Sequence, residues 1–180
     1  MSTAVVVLDG RSLTLADVRA VAAGSASVEL AAAARERMLA TRAHVERAAA
    51  SGEAVYGITT GFGKLSDVSI APDRIDALQV NLVRSHAAGV GAPLPAREVR
   101  VMLLLRANVL AGGLTGARPE IAELLCGMLG ARVYPVIPEQ GSVGASGDLA
   151  PLAHPHRSAE AQGEPAARDH HWRQHSPAPG

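Results

Sequence analysis

The chain opens on an unbroken apolar run, AVVVL at 4–8, closed by Asp9-Gly10, and this pattern predicts a short strand ended by a tight turn. Apolar positions then recur at helical spacing. Thr14 is placed to cap a helix over Leu15–Ala23, with Gly24 just past its end. A longer helix is predicted over 27–50, with Val28, Ala31, Met38 and Val45 on one stripe, Arg42 and Glu46 one turn apart on the wet side, and Gly52 closing it. The period fails in AVYGITTGFGKLSDV, 54–68, where three glycines and paired threonines predict a loop. Pro72 suits the first turn of a helix running to about residue 88, ended by Gly89 and Gly91. The next helix, 95–111, has no polar residue at 101–105, so it needs burial on several sides before Gly112-Gly113 stops it. Pro119 opens another over 119–129, and VYPVI, 133–137, predicts a short strand leading into Pro138 and a glycine-rich loop. The pattern therefore predicts a mainly α fold in which helices frame two loops, around Tyr56 and around Ser146.

Composition narrows the partners. A length of 180 residues allows one or two domains. A formal net charge of zero leaves no basic field for nucleic acid or an anionic membrane, so neither is expected as a partner. No apolar run approaches the ~20 residues of a membrane helix, and the N-terminus lacks a signal-peptide pattern. A cytoplasmic protein is expected. The single cysteine, Cys126, excludes an internal disulfide framework, and its place in IAELLCGML predicts a core residue rather than a nucleophile. Aromatic residues are 2% of the chain and alanine supplies much of its 48% hydrophobic content, so the core must rest on close helix packing. His44 reads as a surface residue, having no metal-ligand spacing on its helix.

The stretch GSVGASGDLAPLAH, 141–154, can turn its own backbone into a reagent. In Ala145-Ser146-Gly147 the Gly147 nitrogen can attack the Ala145 carbonyl, after which Ser146 loses its hydroxyl, leaving an imidazolone ring with an exocyclic methylidene. Gly147 lacks the Cβ that would obstruct closure, and only a β-hydroxyl at 146 can leave as water. Unmodified side chains provide nucleophiles, acids and bases but no strong electrophile, which this ring would supply. By itself the tripeptide reads as a flexible loop. Asp148 fits the N-cap of the helix that follows. In the other loop, Gly57 and Gly63-Lys64 do not make a phosphate-binding loop: five residues separate the glycines instead of four, and Leu65 follows the lysine.

The whole run 141–154 resembles the signature of the aromatic amino acid ammonia-lyases, the family of histidine, phenylalanine and tyrosine ammonia-lyases. The loop at 54–68 resembles the family's mobile tyrosine segment, with Tyr56 at the tyrosine position, Gly57, Thr60, Gly61, Phe62 and Gly63 shared, and Thr59 where asparagine is frequent. A third stretch, Gln79 to Gly91, carries Ser85-His86 before Ala87-Ala88-Gly89 in the manner of the histidine-specific members. The resemblance covers 1–154. It implies the N-terminal helical portion of an ammonia-lyase of the fumarase/aspartase-like superfamily, with short strands and two functional loops and without the central helical bundle. It further implies a 4-methylidene-imidazol-5-one (MIO) self-formed from Ala145, Ser146 and Gly147, no external cofactor and no metal. Tyr56 takes the position of the catalytic base and His86 that of a contact to the substrate imidazole. L-histidine is the favoured substrate, with trans-urocanate as product and a homotetramer as the full-length assembly. A phenylalanine or tyrosine ammonia-lyase, an aminomutase, and a non-catalytic fragment are the alternatives. Asn108, in RANVLAGG, is expected to serve as a helix hydrogen-bonding residue.

After His154 the character changes: 155–180 contains no Leu, Ile, Val, Met or Phe. Such a segment cannot bury enough to offset its ordering entropy, so a disordered tail unlike the family is expected, as a frameshifted or truncated gene would give. Its histidines, His156, His170, His171 and His175, have no structural frame for a metal. The 180-residue chain alone is accordingly expected to show the unmodified mass, a protease-sensitive segment after His154, and no urocanate absorbance with histidine. Steady urocanate production by the homogeneous chain would overturn that expectation.

Overall fold

The computed structural model describes residues 4–61, 70–71, 74–141, 147–154 and 172–174. The first strand is β1, Ala4–Leu8; the first helix, α1, is Leu15–Ala23. Thr14 caps α1 through a reciprocal pair, its hydroxyl accepting the Asp17 amide while the Asp17 carboxylate accepts the Thr14 amide. The hydrogen bond from the Thr14 hydroxyl, and after it that from the Thr14 amide, hold the Asp17 carboxyl below its ordinary range.

The chain then departs from the expected long helix. Residues Ala26–Leu30 form β2, parallel to β1 in the register Ala4↔Ala26 to Leu8↔Leu30, and the helix α2 begins only at Ala32–Ser51. Val28 does point inward, but on a period of two with Glu29 outward, as Val6 and Leu8 point inward between the half-exposed Val5 and Val7. Of the predicted stripe, Met38 is buried and Val45 half-buried on α2, and Ala34, one turn before Met38, is buried with them. What decides between the periods is the row of β1 backbone groups beside it. On the wet side of α2, Arg42 Nε donates to Glu46 Oε1 at 2.9 Å, as the spacing predicts, and His44 is exposed beside Arg47.

Helix α3, Ile75–His86, ends two residues earlier than expected because Ala87 leaves the helical region at φ −78°, ψ 56°. Pro72, the expected first-turn residue, lies outside the described residues. Next comes β3, Val90–Pro93, which the glycine- and proline-rich sequence does not suggest. Helix α4, Ala96–Ala111, and helix α5, Pro119–Ala131, follow the pattern closely and pack on each other. The strand predicted at 133–137 is shorter, β4, Val133–Pro135; β5, Pro138–Gln140, then pairs antiparallel with β3. Of the expected tail, Trp172–Gln174 form β6, antiparallel to β4, and its remainder lies outside the described residues.

The core surrounds α4. Leu103, Leu104, Ala107, Leu110 and Ala111 are buried against α1, α2, α5 and β1, joined by Leu8, Val21, Met38 and Ile137. Arg37 of α2 locks the C-terminal end of α4, donating to the Asp9 carbonyl at 2.6 Å and the Ala111 carbonyl at 3.2 Å. At this corner Gly10 has φ +78°, and a Cβ there would fall inside contact distance of the Gly112 backbone. Gly10→Ala therefore incurs both left-handed strain and a backbone clash. It should lower unfolding free energy by more than about 3 kcal/mol, whereas Gly52→Ala, at φ +74° in open space, should cost only about 1 kcal/mol. Urea midpoints of the two variants check the ordering, which equal losses would contradict.

Candidate functional site

The tyrosine loop is closed by its own threonines. Immediately after α2 the chain makes a turn at 56–59 in which the Ile58 and Thr59 amides donate to the Val55 carbonyl, each at 3.0 Å. The Thr59 hydroxyl accepts the Val55 amide at 2.8 Å and donates to the Glu53 carbonyl at 2.5 Å, and the Ile70 amide returns to the Thr59 carbonyl at 2.9 Å. Thr59 and Thr60 are both buried, while Tyr56 is 63% exposed. The position where the sequence departs from the frequent family residue is thus the one that staples the turn carrying Tyr56. Its signal was a polar β-branched residue repeated inside a glycine-rich loop.

His86 is the last residue of α3 and half-buried. Its Nδ1 lies 2.8 Å from the Leu82 carbonyl, which can only accept, so Nδ1 carries a proton; the Ser85 hydroxyl donates to the same carbonyl and stands 3.0 Å from the ring. In the neutral imidazole this leaves Nε2 with the lone pair. A substrate N–H is the kind of group that such an acceptor binds.

Beyond His86 the chain is fastened to both stems of the glycine-rich loop. Val90 pairs with Gln140, the Leu94 amide donates to the Ile137 carbonyl at 2.8 Å, and the Gly89 amide donates to His154 Nε2 at 3.1 Å. Of the three ring-forming residues, Ala145 and Ser146 lie outside the described residues. Gly147 is exposed at φ +84°, and no other described residue comes within 4 Å of where a Cβ would stand. The loop is narrow at its base: a Cβ on Gly141 would collide with the Asp148 carboxylate. That carboxylate also accepts the Ala150 amide at 3.0 Å; residues 150–154 are helical, so Leu149 holds the N-cap position expected of Asp148, which stands one residue before it. The contacts joining the His86 segment to Gly147 do not run through Tyr56, whose turn is built from 53–60 and 70.

A family model, aromatic amino acid lyase, matches residues 13–174. The chain belongs to the aromatic amino acid lyase family. The histidine ammonia-lyase of Anaeromyxobacter dehalogenans is 60% identical over 147 residues, covering 82% of this chain and 29% of the relative. Among solved structures, this lyase-family chain is similar to the histidine ammonia-lyase of Trypanosoma cruzi at TM-score 0.74 and 42% identity, over 83% of this chain and 28% of the other. It is likewise similar to the tyrosine aminomutase of Streptomyces globisporus at TM-score 0.77 and 40% identity, over the same shares of the two chains. The chain spans about 29% of the length of the curated relatives it matches.

Two other expectations have structural outcomes. The Asn108 side-chain oxygen is buried without a hydrogen-bond partner among the described residues, so the helix hydrogen-bonding role expected of it is not made by that atom. Cys126 is buried as predicted; loss of hydration, with Glu123 adding, pushes its thiol up to about 11. The sign excludes a thiolate nucleophile near neutrality, because a raised thiol pKa keeps the proton on sulfur. At pH 8 only about 10⁻³ of Cys126 should be thiolate, so alkylation by iodoacetamide should be slow in the native chain and accelerate at least about tenfold in urea. Equal rates in both would place the thiol at the surface.

Proposed function

We propose that residues 1–154 are the site-bearing N-terminal part of a histidine ammonia-lyase, which eliminates ammonia from L-histidine to give trans-urocanate. The observation that carries this reading is His86: its Nδ1 proton is engaged by the Leu82 carbonyl, and the segment that follows it, at Gly89 and Val90, is fastened to both stems of the loop bearing Gly147. Family membership and 60% identity to a histidine ammonia-lyase support it.

In this reading Ala145, Ser146 and Gly147 form the MIO ring, and no external cofactor is needed. The ring, once formed, supplies an electrophile that activates the substrate toward loss of ammonia. His86 binds the substrate imidazole by accepting its N–H at Nε2, which turns the amino acid so that its amine faces the loop. Tyr56, exposed on its stapled turn, takes the β-proton at its phenolic oxygen; the electrons of that C–H bond form the new double bond as the amine leaves from Cα as ammonia, which then takes the proton back from the Tyr56 oxygen, giving urocanate and ammonium. Assembly into a homotetramer and a cytoplasmic location belong to the same reading, as does the division into a lyase unit, 1–154, and a separate tail, 155–180. The tyrosine aminomutase likeness extends to the fold, while the Ser85-His86 pair favours the histidine substrate over phenylalanine or tyrosine and over aminomutase chemistry.

The test is a full-length carrier in which residues 1–154 replace the matching segment of the Anaeromyxobacter enzyme. Ser146→Ala should abolish the near-ultraviolet absorbance of the ring and the mass loss of two waters; an unchanged mass difference would remove Ser146 as the precursor. Tyr56→Phe should keep the ring and lower turnover by ~10² to 10⁴, and a drop below fivefold would exclude Tyr56 as the base. His86→Leu should raise KM for histidine and improve relative handling of phenylalanine, since the imidazole loses its polar partner. Unchanged selectivity would reduce Ser85-His86 to helix packing.

A further inference from the structure

The hydrogen bond between Gly89 and His154 joins residues 65 apart in the chain, on the two segments that the proposed reaction must hold in register. His154 is the last described residue of the helical segment that follows Gly147, fixed at its start by the Asp148–Ala150 bond and continued by the Ala153 amide donating to the Leu149 carbonyl at 3.1 Å. Gly89 stands three residues after His86. Between them the Ala87 amide donates to Val83 and the Ala88 amide to His86, so the path from Gly89 back to the imidazole is fixed by its own backbone. The notch around Gly89 is closed on three sides. A Cβ there would lie 2.9 Å from His154 Nε2, 3.2 Å from Pro138 Cβ and 3.3 Å from the Gln140 carbonyl. Both stems of the glycine-rich loop, Gln140 entering and His154 leaving, therefore meet the His86 segment at one residue where a Cβ would crowd its neighbours.

We propose that His154 is a positioning residue: by accepting the Gly89 amide at Nε2 it sets the location of His86 relative to Gly147, and so the reach between the group that binds the substrate and the group that reacts with it. The proposal rests on the functional reading above. The chemistry required is an acceptor at the end of a side chain of this length. A backbone N–H can only donate, so Nε2 must be unprotonated, which places the ring proton of the neutral imidazole on Nδ1. Leucine fills a similar volume without an acceptor, whereas glutamine offers a carbonyl oxygen to the same amide.

In the full-length carrier described above, His154→Leu should retain the ring absorbance while kcat/KM for histidine falls about tenfold or more, the effect of a small displacement between reacting groups. His154→Gln should restore kcat/KM to within about threefold of the parent. Gly89→Ala should reproduce the leucine variant from the other side of the bond, and the double variant should be no worse than either single, as residues sharing one interaction behave. A leucine variant within about twofold of the parent, or a glutamine variant no better than leucine, overturns the proposal. Should the leucine carrier fail to fold, the remaining pair decides: glutamine at the parental rate with Gly89→Ala impaired supports the link, and both at the parental rate refutes it. A parent carrier that makes no urocanate overturns the functional reading instead. The link is then decided in the 180-residue chain by hydrogen exchange at the Gly89 amide, which should speed up at least about tenfold in His154→Leu and not in His154→Gln.

Discussion

Helix α4 is the constraint to which the other elements answer. Leu103, Leu104, Ala107, Leu110 and Ala111 are almost wholly removed from water, and no single neighbour is broad enough to cover them. Helices α1, α2 and α5 and strand β1 each take one sector. The aromatic-poor composition allows this, because alanines and glycines let backbones approach closely and aliphatic side chains fill what remains. The cost of close approach is that backbone carbonyls become buried at the corners, and there they need donors. Arg37 meets that need where β1 ends beside the end of α4, serving two carbonyls with one guanidinium, while the Thr41 hydroxyl serves Gly113 at 2.5 Å.

From that core the chain reaches its site through short segments that are weak alone and firm together. Strands β3 and β5 make only a brief, irregular pairing, and each is too short to persist without a neighbour. Their effect comes from where they stand: β3 leaves the helix bearing His86, and β5 enters the loop bearing Gly147. With the Gly89–His154 bond they join two separate motifs, the His86 segment and the glycine-rich loop, into one arrangement. The tyrosine turn is organised differently, by hydroxyl-to-backbone bonds that span only a few residues. Local closure of this kind holds the backbone while Tyr56 stays 63% exposed, which is compatible with the role proposed for it.

The helices α1, α4 and α5, the Thr14 cap and the buried Cys126 were legible in the sequence by itself, because each is dictated by neighbours within a turn or two. Spacing of apolar residues, a hydroxyl before a helix and a glycine after it act locally. The ring chemistry proposed for Ala145-Ser146-Gly147 is likewise a reading of the sequence, because it depends on three adjacent residues. Tertiary structure alone decided the rest. Residues 26–30 carry apolar positions compatible with either period, and the open backbone groups of β1 made them a strand. Gly89 to Pro93 reads as a helix exit with turns, yet its partner at Pro138–Gln140 draws it into β3. Thr59 passed as a neutral replacement and proves to be the staple of its turn; His154 passed as the last letter of a motif and proves to hold the histidine segment. In each case the deciding group is a backbone amide or carbonyl, which is identical at every position in a sequence and acquires a meaning only when folding brings a partner to it.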